Sequence, residues 1–229
     1  MRSIKVWVVC AAVVLIAITS YGSIPHVLYG KRIAGQVVDA GTGQPINGAH
    51  VAFLWESDIT PHSFTAHNSR TICYHAAAAV TNEQGYFEIA PWREWSTYGV
   101  DIVEPHISMY GREYQPAFVT LHSNREVPRE RLNERYELKR FSGTVGERMD
   151  ALFWGLANRG CPYGKASQTA LYPMLKSIYQ EAKSLAQSDQ QRSRTSIIAE
   201  FAADAALARN PNDASNLEEI QRFIRSNLE

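Results

Sequence analysis

The chain has 229 residues, 45% of them apolar and 20% charged, so it can bury the core of one large domain or two small ones and is too short for more. Its 23 basic and 23 acidic side chains cancel, a balance that implies no basic face of the size a nucleic acid needs, so no nucleic-acid partner is expected. Three cysteines, none at zinc-ligand spacing, exclude both a disulfide-rich miniprotein and a zinc finger.

Arg2 and Lys5 precede an unbroken apolar run from Val6 to Ile18, followed by the small and polar stretch Thr19 to Ser23. A positive end, a short apolar stretch and then small residues is the order of a secretory signal, with Ser20 and Gly22 at the two small positions before a cut. As a helix the run would span about 20 Å, against a hydrocarbon core of roughly 30 Å. Borrowing Ile4 and Tyr21 lengthens it to a marginal membrane anchor. Residues 1–23 therefore read as a signal peptide or an N-terminal anchor through residues 6–21. Either way the rest of the chain is expected outside the cytosol, periplasmic or secreted if the leader is cut and membrane-anchored if it is kept.

Residues 31–141 read as short strands separated by turn residues. Ile33 to Asp39 is a first strand, running into the turn formers Gly41 to Gly48. His50 to Trp55 is a second, with Val51, Phe53 and Trp55 on one face. After a polar loop from Ser57, a third strand runs from Cys73 to Thr81, and Asn82-Glu83-Gln84-Gly85 turns it into Tyr86 to Ile89. Tyr98 to Val103, Ala117 to Leu121 and Tyr136 to Phe141 complete about seven strands, a spacing that predicts an antiparallel β-sandwich. The stretch from Arg125 to Arg140, dense in Arg and Glu, reads as a solvated edge before the last strand.

Residues 142–229 change to the helical period. Thr144 and Glu147 form a capping box ahead of the stripe Met149, Leu152, Phe153 and Leu156. Leu171 to Leu185 repeats the pattern, with Pro173 in its first turn. Ile197, Ile198, Phe201, Ala205 and Ala208 make a third stripe, and Leu217, Ile220, Ile224 and Leu228 a fourth. The fold class expected is α+β: a sandwich followed by a subdomain of about four amphipathic helices packed against it.

Ile33-x-Gly35-x-Val37-x-Asp39, then Thr42-Gly43-Gln44-Pro45-Ile46-x-Gly48-Ala49-x-Val51, and further on Thr81-Asn82-Glu83-Gln84-Gly85-Tyr86-Phe87, resemble the carboxypeptidase regulatory-like domain. The resemblance covers about residues 31–141 and implies a transthyretin-like sandwich. It also implies a non-catalytic accessory role on an exported protein, with no catalytic residue and no cofactor carried over. The residues make physical sense of it. Gly43 and Gly48 let the chain reverse, Pro45 fixes φ within the turn, and Gly85 permits the positive φ that closes a hairpin. The long insert from Ser57 to Ile72 departs from the family's pattern.

Outside the leader the cysteines are Cys73 and Cys161, which in an oxidising compartment are expected to bond and to staple the two halves. His62 and His67 in the polar loop, with His75 sharing a strand face with Cys73, are weak candidates for a metal site. The run Pro91-Trp92-Arg93-Glu94-Trp95 places two indoles where Trp92 caps the sandwich end, or where Trp92 and Trp95 together stack on a sugar ring. No Gly-x-Ser-x-Gly elbow, phosphate loop or His-Glu-x-x-His occurs. The function expected is that of an exported, non-catalytic accessory or binding protein of a bacterial-type cell envelope, its partner an envelope protein or glycan. The alternatives are an envelope hydrolase with its site in the 57–72 loop, and a carbohydrate-binding module using Trp92 and Trp95.

Overall fold

The computed structural model describes residues 26–59, 70–96, 105–120, 131–155, 168–207 and 217–228. Nine strands occur among them: β1 (His26–Gly30), β2 (Ile33–Asp39), β3 (His50–Ile59), β4 (Arg70–Val80), β5 (Tyr86–Ile89), β6 (Trp92–Ser96), β7 (His106–Tyr110), β8 (Ala117–Thr120) and β9 (Arg131–Leu138). Four α-helices follow: α1 (Val145–Gly155), α2 (Tyr172–Leu185), α3 (Asp189–Ala206) and α4 (Leu217–Asn227). The fold class is α+β, as expected. Among the described residues no helix is long and apolar enough to cross a membrane.

Three sheets form, in the orders β5-β2-β9, β4-β3-β7-β8 and the two-stranded β1-β6. Pairing is antiparallel except between β2 and β9, which run parallel, a departure from the purely antiparallel sandwich expected. The three- and four-stranded sheets face each other across a core of Val37, Val51, Phe53, Phe87, Ile107, Met109 and Leu138. The helices cover the opposite face of the four-stranded sheet. There Ala52, Leu54, Ala76 and Tyr110 share a second core with Met149, Leu152, Ile178 and Ile198. β3 is thus central to a three-layer arrangement, with odd residues in one core and even residues in the other. The alanines of β4 contribute to this, because Ala76 and Ala78 keep the helix-side surface low where the helices press against it.

Local structure explains the details. Gly43, Gly48 and Gly85 all take positive φ, and a Cβ on Gly85 would lie 2.6 Å from the Val37 carbonyl oxygen, so only glycine fits that turn. Asn133, at φ 64, supplies the extra residue of a bulge where the β2–β9 register slips by one. At α1 the Thr144 amide donates to Glu147 Oε2 at 2.7 Å, and the Glu147 amide donates to Thr144 Oγ1 at 3.3 Å, the reciprocal cap expected. Ser188 and Gln191 build a second capping box on α3.

The strand set differs from expectation in three places. β1 and β6 pair as a short ribbon that sequence patterning passed over. β7 lies after Pro105, whereas the expected strand from Tyr98 to Val103 falls outside the described residues. β9 begins at Arg131, inside the stretch read as a solvated edge. It is an edge strand of its sheet, and its charges suit the side that must not recruit another strand.

Asp39, the last residue of β2, ties three segments together. Its Oδ1 accepts from the amides of Gly41 (2.8 Å) and Thr42 (3.0 Å), and its Oδ2 accepts from Arg140 Nε (2.8 Å) and the Tyr114 hydroxyl (3.1 Å). The Arg140 guanidinium, assisted by these amides and the phenol, holds the Asp39 carboxyl down at about 2, below the ordinary 3.8. A carboxyl that holds its proton less tightly folded than unfolded contributes stability in full above pH 4, and loses it as the pH falls toward 2. Urea melts of wild type and Asp39→Asn between pH 2 and 6 are expected to converge over that interval. Parallel curves would remove Asp39 from the linkage.

Candidate functional site

The polar group with the most chemical potential lies at one end of the face-to-face sheets, where Trp55, His75, Trp92 and Glu94 meet. Trp55 comes from β3 and His75 from the β4 residue directly opposite it. Trp92 and Glu94 alternate on β6 and so project from the same side of the ribbon. The His75 ring stacks on Trp92 at 4.2 Å between centroids with 16° between planes, and Trp92 meets Trp55 edge-on at 5.2 Å. Glu94 Oε1 lies 2.7 Å from His75 Nδ1, which fixes the imidazole's orientation. Across the ribbon Gly30 is opposite Trp92, and a Cβ there would fall 2.0 Å from the indole Nε1. The glycine lets the indole lie flat against the β1 backbone. Among the described residues the buried Nε1 has no hydrogen-bond partner.

A histidine oriented by a carboxylate is two parts of an acid–base unit. Among the described residues no hydroxyl or thiol bonds to His75 Nε2, so the pair's visible role is to clamp β6, and with it the whole ribbon, onto β4. A second histidine, His50, sits with its Nε2 3.0 Å from Ser177 Oγ, and burial holds its imidazole below its ordinary range. Ser177 Oγ also lies 3.0 Å from the Pro173 carbonyl oxygen one turn earlier in α2, to which the hydroxyl can donate. The His50–Ser177 contact docks α2 on β3.

The residues singled out from sequence fall as follows. Cys161, His62, His67 and the central part of the 57–72 loop (residues 60–69) lie outside the described residues. Cys73 and His75 do not share a strand face. β3 and β4 pair Trp55 with His75 but Glu56 with Cys73, so Tyr74 is the extra residue of a bulge. The slip turns Cys73 into the helix-side core while His75 stays beside Trp55. No group of three or more His, Cys, Asp or Glu that could hold a metal ion occurs among the described residues.

The two tryptophans separate as well. Residues three apart on a strand point to opposite faces, and Trp92 packs inward while Trp95 is 76% exposed. They do not form one platform for a sugar ring. Glu94 was missed as a partner of His75. Its signal was its place two residues from Trp92, on the face that turns inward.

The chain matches no known family profile and no curated protein. Among solved structures, a 9R-lipoxygenase from Cyanothece PCC8801 aligns with 72% of this chain and 26% of its own, at 11% identity and a TM-score of 0.29. The chain thus spans about a quarter of that protein, and a likeness at this score carries no argument.

Proposed function

We propose that the chain is an exported accessory protein of the cell envelope that binds without transforming its partner, built on a carboxypeptidase regulatory-like sandwich with a helical layer docked against it. The observation that carries the reading is the backbone of the resembling segments. Gly43, Gly48 and Gly85 adopt the positive φ their turns require, and Asp39 closes the β2 end through two amide hydrogen bonds. These are the positions through which the resemblance was drawn, and their geometry supports a shared framework. Export is supported by the order of the leader: charge, apolar run, small residues.

A disulfide between Cys73 and Cys161 belongs to this reading. Cys73 is buried on the helix-side face, and an oxidising compartment favours its pairing with another cysteine. Of the two other cysteines, Cys10 lies in the leader, which leaves Cys161, between α1 and α2, as the proposed partner. One measurement tests both parts: mass analysis, without reductant, of the chain recovered from the envelope fraction. The expected result is a linked Cys73–Cys161 peptide in a chain that either starts after Gly22 or retains residues 6–21. Two free thiols would overturn the pairing, and recovery in the cytosolic fraction would overturn export.

A further inference from the structure

We infer that the outward face of the β1–β6 ribbon rests on a lipid bilayer at headgroup level, beside residues 6–21 kept as an anchor. The inference rests on the export reading in its anchored form. The antiparallel register sets Val27 opposite Trp95 and Tyr29 opposite Arg93, so these four side chains share one face of the ribbon. The other face, with Leu28, Gly30, Trp92 and Glu94, is pinned to the protein by the His75 contact and the Trp92 stack. What turns outward is an indole 76% exposed, an exposed valine, a half-buried tyrosine and an exposed arginine, with no acid among them. Lys31, also exposed, follows directly after β1.

That composition matches one environment in particular. Indole and phenol rings concentrate at the membrane–water boundary, where an apolar body and a polar tip are both satisfied. Arg and Lys extend apolar stems along such a surface and place their charge among phosphates. The leader supplies the proximity. If Tyr21 marks the end of the apolar segment, the five residues to His26 span at most about 17 Å even when fully extended. The headgroup layer on each side is itself about 5–8 Å deep. A chain leaving the bilayer at Tyr21 therefore starts its first strand next to the lipid surface, and the next residue in that strand is Val27, the partner of Trp95.

The test uses the full chain reconstituted in vesicles of phosphatidylethanolamine and phosphatidylglycerol, with and without bromine on the upper acyl chain. Bromine quenches indoles at that depth, and Trp7 of the leader is an expected target. Trp95→Phe is expected to lower the bromine-sensitive share of the emission by about half, since Trp7 and Trp95 are the two indoles placed at the bilayer. Trp154→Phe, removing an exposed indole of α1, is expected to leave that share unchanged. Equal quenching in wild type and Trp95→Phe overturns the inference. So does Trp95 emission that is blue-shifted yet insensitive to bromine, which would assign the face to a second copy or another protein. The intact mass separates the two levels of failure. A chain starting after Gly22 removes the anchor itself, whereas a full-length chain with Trp95 unquenched removes only the lipid contact.

Discussion

Replacing Arg148 by Met is expected to cost about 3–5 kcal/mol of folding free energy, because it leaves a buried carboxylate without its counter-ion. Arg148 on α1 is 4% exposed. Its Nε donates to Glu181 Oε1 at 2.7 Å and its Nη2 to Oε2 at 3.0 Å, a two-point fork onto the α2 carboxylate. The same guanidinium donates to the carbonyls of Tyr114, Gly111 and Arg112, just after β7. Tyr110 completes the group, its hydroxyl donating to Glu181 Oε2 at 2.6 Å, and burial together with that carboxylate pushes the phenol well above its usual range. One side chain therefore joins two helices to the four-stranded sheet. The double variant Arg148→Met/Glu181→Leu is expected to recover part of the loss, since it removes both charges together and leaves chiefly the three carbonyls without a donor. Urea unfolding of the single and double variants measures the coupling. A single-variant loss below about 1 kcal/mol, the range of an exposed pair, would mean that the network is solvated and does not dock the helices.

How far this arrangement could be read beforehand depends on where each instruction resides. Local instructions were legible: Gly85 closing its turn, Thr144 with Glu147 opening α1, Pro173 in the first turn of α2, and the inward set Val51, Phe53 and Trp55. Each needs only a few neighbouring residues. The bulge at Tyr74 was not legible, because Cys73-Tyr74-His75 alternates as well in one register as in the other, and only pairing with β3 exposes the slip. β9 was partly hidden by composition, since an edge strand rich in Arg and Glu looks like a solvated segment until its pairing with β2 is known.

The candidate site divides in the same way. Trp92 declared itself as a large apolar side chain at a sheet end, but its contact with His75 joins β6 to β4 and has no local signature. Arg148 and Glu181 left a faint one. Each lies on an apolar helical stripe, Arg148 four residues before Leu152 and Glu181 three after Ile178, and the two carry opposite charges. A charge on a buried stripe asks for a partner, and two such stripes with opposite signs identify each other. Spacing within either helix does not reveal this.

Phe53→Ala, removing a wholly buried ring from β3, is expected to lower stability by about 3–5 kcal/mol. Phe53 packs between Trp55 at 6.1 Å and Phe87 at 6.0 Å, so truncation both opens a cavity between the two facing sheets and removes two aromatic contacts. Its neighbour Leu54 provides the comparison. Leu54 points the other way, into the core shared with the helices, and Leu54→Ala is expected to cost about 2–5 kcal/mol. In a sheet with one face in water, the second of two adjacent substitutions would cost little, because only alternate residues are buried. Large losses at both positions in denaturant melts are therefore the signature of a strand enclosed on two sides. A small loss at Leu54 beside a large one at Phe53 would mean that the helices do not cover the sheet. β3 carries five consecutive buried residues, Val51 to Trp55, and alternation read from sequence accounts for three of them. Ala52 and Leu54 are apolar for a different reason, the helical layer that arrives a hundred residues later in the chain.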